Sequence, residues 1–291
     1  MRISIYGNEY QDRYFSHLQR LFRVLAGYNA WVAVDRSFYD YLLRHTSVRP
    51  DVDEIIDSSG DFDAAIALSI GGDGTFLRTA EKVAHRGIPI LGINTGHLGY
   101  LADASVENID CVIRSIFDGD YQIEERTVLR VSTDCGIAID NPYALNEIAV
   151  NRHDTALMIS MHTWVNGRDL TTYKGDGLII STPTGSTAYN LSVGGPILEP
   201  TTNNIVLSPI SAHSLTMRPL VLRDDSVIRV ATTSRASHYQ VSIDGRPFTF
   251  PVGSEIVVEK ADFAVKVIQH SGHNFADTLR NKLMWGIDRR E

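Results

Sequence analysis

The stretch IALSIGGDGTFLRTA, residues 66–80, joins a short apolar run to three glycines and then to a segment with helical spacing. A continuously apolar run is typical of a strand buried on both faces of a parallel sheet. Backbone N–H groups at such a turn, and at the helix N-terminus that follows, can face an anion, and glycine lets a ligand approach the main chain. The stretch therefore predicts a phosphate site on a βα turn. The alternative is that the glycines only shape a tight turn and Asp73 caps the helix.

The flanking sequence predicts an α/β domain over residues 1–120. RISIYG, AWVAV and IPILGIN have the composition of strands, and FSHLQRLFRVLAGY and TFLRTAEKVAHRG have apolar residues at helical spacing. Over residues 121–270 the apolar period changes to two, which predicts an all-β domain with hairpin turns at Asn166-Gly167 and Asp244-Gly245. The tail, residues 271–291, returns to helical spacing. We expect it to form a helix that packs on the α/β domain.

Composition excludes some classes of partner. The chain has 291 residues and a formal net charge of -8, which argues against nucleic acid or an anionic membrane as a partner. An anionic substrate would need local cations. No signal-peptide pattern is present, and no run approaches the ~20 apolar residues of a membrane span, so a cytoplasmic location is predicted. The 2 cysteines form no CxxC pair or Cys/His cluster.

Several common catalytic motifs are missing from the sequence. There is no GxxxxGK[ST], GxGxxG, HExxH or GxSxG, so P-loop, Rossmann-fingerprint, zincin and hydrolase-elbow interpretations lack support. His85, His97, His153 and His213 show no mutual metal-ligand spacing. No metal site built from protein ligands is therefore predicted.

Five segments carry a resemblance to a known family. GGDGT, residues 71–75, resembles the signature of a superfamily that contains NAD kinases, 6-phosphofructokinases, and diacylglycerol and sphingosine kinases. LGINTGHLGYLAD (91–103), LNEIAV (145–150) and GDGLIISTPTGSTAYNLSVGGPIL (175–198) resemble NAD kinase motifs in the same order. FADTLRNKLMWG (275–286) is similar to that family's C-terminal helix.

The resemblance implies a fold and an activity. It implies a Rossmann-like domain followed by a β-sandwich domain, in an enzyme that phosphorylates the 2′-hydroxyl of the adenosine ribose of NAD to give NADP. A nucleoside triphosphate and a divalent cation, Mg²⁺ carried with ATP, would take part, and the chains would assemble as homodimers or homotetramers. ATP or polyphosphate as donor, and NAD or NADH as acceptor, both stay open.

The resemblance also implies roles around the glycine turn. Asp73 matches the catalytic aspartate that accepts the proton of the ribose hydroxyl, and Gly74 would let the ribose lie against the backbone. Arg78 could face the transferred phosphate or be a surface cation. Tyr100, where the family usually has Phe, would form an apolar wall against the adenine.

Further matches lie in the second half of the chain. Asn146 and Glu147 match a pair that holds a ribose diol, although they could instead be a polar turn. Asp176 would bind a group on the nicotinamide side, and Lys174 would neutralise a pyrophosphate or pair with Asp176.

The stretch that wraps the adenine would supply Thr184, Thr187, Ala188, Tyr189, Asn190, Leu191 and Ser192. Within it, Thr187 and Ser192 offer hydroxyls, Ala188 leaves room, and Tyr189 offers an aromatic edge. Asp244 and Arg246 match a hairpin that approaches the phosphates or a neighbouring subunit's dinucleotide, but Asp-Gly is also an ordinary hairpin signal.

Two alternatives to an NAD kinase remain at this point. A lipid kinase of the diacylglycerol or sphingosine type shares GGDGT, but such enzymes normally continue with a Gly-Thr-Gly-Asn segment that this chain lacks. A dinucleotide-binding regulator without catalysis is the other alternative, and the presence of Asp73 in an intact turn argues against it.

Overall fold

The computed structural model describes residues 1–8, 14–57, 62–96, 99–102, 104–153, 157–272 and 274–286. His97 and Asp103, which belong to one of the motifs above, lie outside these ranges. The strands up to the first domain boundary are β1 (Arg2–Gly7), β2 (Trp31–Asp35), β3 (Glu54–Ile56), β4 (Ile66–Gly71), β5 (Ile90–Asn94), β6 (Ala104–Ser105) and β7 (Tyr121–Arg126).

The strands that follow are β8 (Leu129–Thr133), β9 (Tyr143–Ala144), β10 (Glu147–Arg152), β11 (Ile159–Val165), β12 (Arg168–Gly175), β13 (Gly177–Ser181), β14 (Asn204–Ile210), β15 (Leu220–Arg223), β16 (Ile228–Thr233), β17 (His238–Ile243), β18 (Arg246–Pro251), β19 (Glu255–Lys260) and β20 (Val265–His270). The α-helices are α1 (Phe15–Gly27), α2 (Arg36–His45), α3 (Asp73–Val83), α4 (Ile109–Asp118), α5 (Tyr189–Ser192) and α6 (Phe275–Leu283). Short 3₁₀ helices cover Ala84–Arg86, Val106–Asn108 and Thr184–Thr187.

The chain folds into two compact units. The first contains Met1–Glu125 and Val265–Glu291, and the second contains Arg126–Ala264. These boundaries differ from the expected ones at residues 120 and 270, because β7 and β20 both belong to the sheet of the first unit. The chain therefore returns to its first sheet one strand before the C-terminal helix begins.

The first unit is an α/β domain around a largely parallel sheet. The strand order is β3-β2-β1-β4-β5-β20-β7, with β6 paired to β5, and neighbours from β3 to β5 run parallel. All residues of β4 are buried, as its continuously apolar sequence predicts. The order reverses between β1 and β4, and ligands of doubly wound sheets bind at the carboxyl ends of strands beside such a reversal. Gly71 ends β4 at this place.

The second unit is a β-sandwich. Its sheets have the orders β15-β14-β13-β10-β17-β18 and β12-β11-β16-β19-β8-β9, with antiparallel pairing. Apolar residues of both sheets form one core, for example Ile148 and Val241 from the first sheet with Val131 and Met161 from the second. The predicted hairpins are confirmed, since Asn166, Gly167, Asp244 and Gly245 all have positive φ.

The predicted C-terminal helix is also confirmed. The side chain of Asn274 accepts a hydrogen bond from the Ala276 N–H at 2.9 Å and starts α6, and Met284 ends it with φ of 53°. The helix belongs to the first unit. Across the residues with described structure, no helix has both the length and the apolar character that a membrane crossing needs.

Candidate functional site

The three glycines at the junction of β4 and α3 have different roles. Gly71 has φ of +154°, and a Cβ there would lie 2.4 Å from Oγ1 of Thr75, so the turn itself requires glycine. A Cβ on Gly72 would meet nothing within 4 Å, and one on Gly74 only the Arg78 side chain at 3.9 Å. Gly74 is exposed. Its open side leaves space in which another molecule can contact the backbone.

The Asp73 carboxylate binds a neighbouring loop. Oδ2 accepts the N–H of Tyr100 at 2.8 Å, and Oδ1 accepts those of Leu101 at 2.9 Å and Ala102 at 3.2 Å. A Cβ on Gly99 would lie 2.0 Å from Oδ1, so the backbone of the loop passes directly against the carboxylate. The N-cap of α3 is Gly72, with no side-chain cap hydrogen bond. Asp73 therefore fixes loop 99–102 instead of capping its helix.

A cleft of about 350 Å³ lies at the carboxyl ends of β1 and β2, beside α3. Its lining consists of Tyr6, Gly7, Asn8, Asp35, Ser37, Thr75, Arg78, Thr79 and Lys82. The Arg78 guanidinium donates to Oγ1 of Thr75 at 3.3 Å, and Nζ of Lys82 lies 2.5 Å from Asp35. Arg78 thus faces the cleft beside the glycine turn. Sequence reasoning missed Lys82, although its position four residues after Arg78 puts both cations on one side of a helix.

In the second unit, Asp244 organises the backbone before β10. Its Oδ2 accepts the Leu145 N–H at 2.7 Å, and its Oδ1 accepts those of Asn146 at 2.8 Å and Glu147 at 3.0 Å. Burial raises the pKa of Asp244, and these three hydrogen bonds act in the opposite direction. Arg246 donates to two backbone carbonyls nearby, those of residues 141 and 143. Asp244 and Arg246, which were expected at the phosphates, thus hydrogen-bond to the backbone of their own unit. Contact of either residue with a ligand stays a prediction.

Glu147 is buried without a full set of partners. It is 8% exposed, and its Oε2 has no hydrogen-bond partner among the described residues. Burial, and then the nearby Asp244 charge, raise the pKa of Glu147 to about 7, while a hydrogen bond from the Tyr189 N–H acts in the opposite direction. A buried acceptor left open is costly in an isolated protein. The site is therefore suited to a ligand hydroxyl that donates to this oxygen.

The stretch expected to wrap the adenine, residues 184–192, is called the Thr/Gly/Ser segment, and it forms a 3₁₀ helix and then the short helix α5. Tyr189 is 40% exposed, Ser192 is exposed, and Thr187, Ala188 and Leu191 are partly buried. Oγ1 of Thr184 is buried and has no partner in the described part of the chain, whereas Oγ1 of Thr187 donates to the Thr184 carbonyl at 3.3 Å. The exposed members of the segment are available to a ligand.

Asn190 differs from the expectation of direct contact with a ligand. It is 0% exposed, and its amide nitrogen donates to the carbonyls of Ser186 at 3.1 Å and Pro196 at 3.0 Å. Its Oδ1 accepts the hydroxyl of Ser208 at 2.6 Å. These bonds tie both ends of the segment to β14, so Asn190 supports the segment from inside.

Asp176 pairs with a cation that the sequence reasoning did not name. Its Oδ1 lies 3.2 Å from the Arg152 guanidinium, and the Arg152 N–H donates to the Asp176 carbonyl at 2.9 Å. Lys174 is exposed on β12. The only sequence signal for Arg152 is its place at the end of the strand that starts with Glu147. Among the described residues, no group of three or more His, Cys, Asp or Glu side chains is placed to hold a metal ion.

Comparisons with known proteins agree with these features. Residues 3–121 match the model of the ATP-NAD kinase N-terminal domain, and residues 145–270 match that of the ATP-NAD kinase C-terminal domain. The chain is 45% identical to an NAD kinase of Bacteroides fragilis over 290 residues, 100% of each chain. An NAD kinase of Archaeoglobus fulgidus, solved in complex with ATP, has a TM-score of 0.75 and 28% identity, covering 98% of this chain and 99% of its own.

The fold extends to more distant proteins. Yeast NADH kinase, solved in complex with NADH, has a TM-score of 0.88 at 22% identity, covering 99% of this chain and 89% of its own. At this identity the similarity supports the fold alone. The two matched domains and the full-length Bacteroides relative decide the assignment, and the chain belongs to the NAD kinase family of phosphotransferases.

Proposed function

We propose that this enzyme transfers the terminal phosphoryl group of ATP to the 2′-hydroxyl of the adenosine ribose of NAD, giving NADP and ADP, with Asp73 as general base. The main support for a dinucleotide site is that the buried Oε2 of Glu147 has no hydrogen-bond partner in the described structure. A ribose hydroxyl would supply the missing donor. The neighbouring Asn146 amide can bind the second hydroxyl of the same diol.

The acceptor would be held on the second unit by residues around Glu147. Ala188, Tyr189 and Ser192 present the accessible part of the Thr/Gly/Ser segment to the adenine. Thr184 adds a buried hydroxyl that has no partner within the described residues. Asp176, held by Arg152, would bind a group on the nicotinamide side.

The donor triphosphate would occupy the cleft beside α3. Arg78 supplies a cation there, Lys82 adds a second one that is paired with Asp35, and the N-terminus of α3 beside the cleft supplies backbone N–H groups, which suits phosphates. The Archaeoglobus fulgidus relative was solved with ATP, which supports ATP as the donor. A divalent cation, Mg²⁺ by its preference for phosphate and water oxygens, would arrive on the triphosphate and neutralise charge at the β- and γ-phosphates. Asn8 and Ser37 line the cleft with oxygen atoms that suit its water shell.

The proposed reaction is an in-line displacement. The 2′-oxygen forms a bond to the γ-phosphorus, the bond from that phosphorus to the β–γ bridging oxygen breaks, and ADP leaves. The hydroxyl proton passes to Asp73. Oδ2 of Asp73 accepts one N–H and Oδ1 accepts two, so Oδ2 keeps a free lone pair for the hydroxyl. Because the transition state is usually loose, orientation of the hydroxyl contributes more than proton removal.

The test is formation of NADP from NAD, ATP and Mg²⁺ by the purified enzyme. Parallel reactions with diacylglycerol, sphingosine, NADH and polyphosphate define acceptor and donor. Activity towards a lipid but not NAD would contradict the proposal, as would NAD binding without turnover. We also propose that the enzyme works in the cytoplasm as a homodimer or a homotetramer.

A further inference from the structure

The C-terminal helix lies against the loop that holds Asp73. Nζ of Lys282, on α6, is shielded from solvent and lies 5.5 Å from the centroid of the Tyr100 ring. This is within the range of cation–π attraction, which is stronger where water is excluded. The Tyr100 N–H donates to Oδ2 of Asp73 at 2.8 Å. Tyr100 therefore connects α6 to the Asp73 carboxylate: its ring contacts Lys282, and its backbone N–H binds Asp73.

The loop has little freedom to shift without moving the carboxylate. A Cβ on Gly99 would lie 2.0 Å from Oδ1 of Asp73, and the N–H groups of Leu101 and Ala102 donate to that same oxygen. A displacement of the Tyr100 ring would therefore change the N–H groups that orient Asp73. Misplacement of a reacting group by about 1 Å can reduce a rate by about 10²-fold.

The contact uses the ring of Tyr100 and not its hydroxyl. The hydroxyl is shielded from solvent and has no hydrogen-bond partner in the described residues. Burial, and then the charge of Asp73, raise the pKa of this phenol. A phenylalanine at this position would keep the aromatic face that Lys282 contacts, so the two parts of the Tyr100 side chain can be tested separately.

We propose that Lys282 is a positioning residue for phosphoryl transfer. Its ammonium fixes the Tyr100 ring, and loop 99–102 then holds the Asp73 carboxylate towards the acceptor hydroxyl. The inference rests on the proposed role of Asp73. It makes the C-terminal helix part of the catalytic apparatus, although the helix lies about 200 residues from the glycine turn in sequence.

The first experiment compares Lys282→Met with Arg280→Met, kcat and KM being measured for NADP formation. Arg280 is an exposed cation on the same helix, paired with Asp277, and serves as the matched control. We expect Lys282→Met to lower kcat roughly tenfold with a smaller change in KM for NAD. Lys282→Arg should restore most of the rate, and Arg280→Met should match the wild type. Unchanged kcat in Lys282→Met, or equal losses in both methionine variants, would overturn the proposal.

The second experiment does not depend on turnover. Hydrogen exchange at the amides of residues 100–102, followed by mass spectrometry, should be faster in Lys282→Met than in the wild type or in Arg280→Met. In a double-mutant cycle, Lys282→Met should have little further effect on exchange once Tyr100→Ala has removed the ring, but its full effect in Tyr100→Phe. If Lys282→Met increased the exchange rate by the same factor with and without Tyr100→Ala, the contact between Lys282 and the Tyr100 ring would be refuted. Wild-type enzyme that made no NADP would refute the proposed function while leaving the exchange result intact.

Discussion

Asp73 and Asp244 do the same structural work in different units. Each carboxylate accepts the N–H groups of three consecutive residues, 100–102 in one case and 145–147 in the other. Each of these short segments carries a residue that the resemblance places near NAD, Tyr100 in the first and Glu147 in the second. A carboxylate that receives several N–H groups fixes the backbone more firmly than a single hydrogen bond does. Asp73 and Asp244 thus each fix the backbone of a segment whose side chains are expected to contact the ligand.

The raised pKa of Glu147 predicts a specific dependence of stability on pH. Its folded-state pKa is about 7 against an ordinary 4.5, so the fold favours the protonated form. The corresponding stability is fully present below pH 4.5 and is lost as the pH rises through 7. At about 1.4 kcal/mol per pKa unit, the loss over the whole range is on the order of 3–4 kcal/mol.

Urea unfolding at pH 5 and pH 8 measures this effect. Relative to the wild type, Glu147→Gln should gain free energy of unfolding between pH 5 and pH 8, since the glutamine stays neutral. Glu199→Gln, at an exposed carboxylate, should show no such gain. An equal difference between Glu147→Gln and the wild type at both pH values would show that burial does not favour the protonated form.

At the scale of single elements, the β4–α3 turn allows a paired test. Gly71→Ala places a Cβ 2.4 Å from the Thr75 hydroxyl at a φ of +154°, so it should destabilise the protein by more than 1 kcal/mol, about the level expected of a strained substitution. Gly72→Ala meets nothing within 4 Å and should be nearly neutral. Urea midpoints of both variants check this. Equal midpoints would mean that the turn tolerates a side chain at either glycine.

The Thr/Gly/Ser segment depends on its buried asparagine. Asn190→Ala removes three hydrogen bonds and leaves the buried hydroxyl of Ser208 without its acceptor, so we expect a loss of about 2–4 kcal/mol in the free energy of unfolding. Ser192→Ala, two residues further along at an exposed position, should change it by less than about 0.5 kcal/mol. Denaturant unfolding of the two variants measures both values. An Asn190→Ala protein of unchanged stability but weakened NAD binding would show that Asn190 contacts the ligand and does not support the segment.

Local patterns in the sequence predicted much of the fold and of the proposed site. The apolar run of β4, the glycine turn and the two Asn-Gly and Asp-Gly hairpins depend on neighbouring residues, and the structure confirms them. The sequence pattern predicts that the strand VKVIQH belongs to the sandwich, because its alternation fits a strand in either unit. Its membership of the first sheet depends on pairing with β5, far away in the sequence. Long-range pairing of this kind leaves no local signal.

Side-chain roles were predictable only where the residue type limits the chemistry. The sequence predicts Asp73 and Glu147 as acids of the site. It does not predict their partners, because Tyr100 lies 27 residues from Asp73 and Asp244 lies 97 residues from Glu147. The motif around Asn190 does not distinguish a polar side chain that faces a ligand from one that supports the loop inside. Arg152 was missed for the related reason that its partner Asp176 lies on another part of the sheet.

For the whole molecule, we predict an oligomer. The resemblance implies assembly as homodimers or homotetramers, and the hairpin of Asp244 and Arg246 matches one that can approach a neighbouring subunit's dinucleotide. Light scattering at working concentration should give the mass of a dimer or a tetramer of 32.3 kDa chains. A monomer with full activity at that concentration would contradict this prediction.

The central claim is that Asp73 acts on the acceptor hydroxyl, and Asp73→Asn tests it most directly. The variant removes the charge that we propose accepts the proton, and it replaces one carboxylate oxygen by an amide nitrogen that cannot accept an N–H group. We expect kcat for NADP formation to fall roughly 10²–10⁴-fold, with a smaller loss of NAD affinity through loop 99–102.

The matched control is Asp244→Asn, which makes the same replacement of one acceptor oxygen in a carboxylate that binds three backbone N–H groups of the other unit. It should weaken NAD binding, because Asn146 and Glu147 lose their support, and leave kcat much closer to the wild type. The measurement is kcat for both variants beside NAD affinity by calorimetry, with folding checked by thermal melting. A folded Asp73→Asn enzyme with near wild-type kcat, or one whose loss of kcat only equals that of Asp244→Asn, would show that Asp73 supports a loop and takes no part in the transfer.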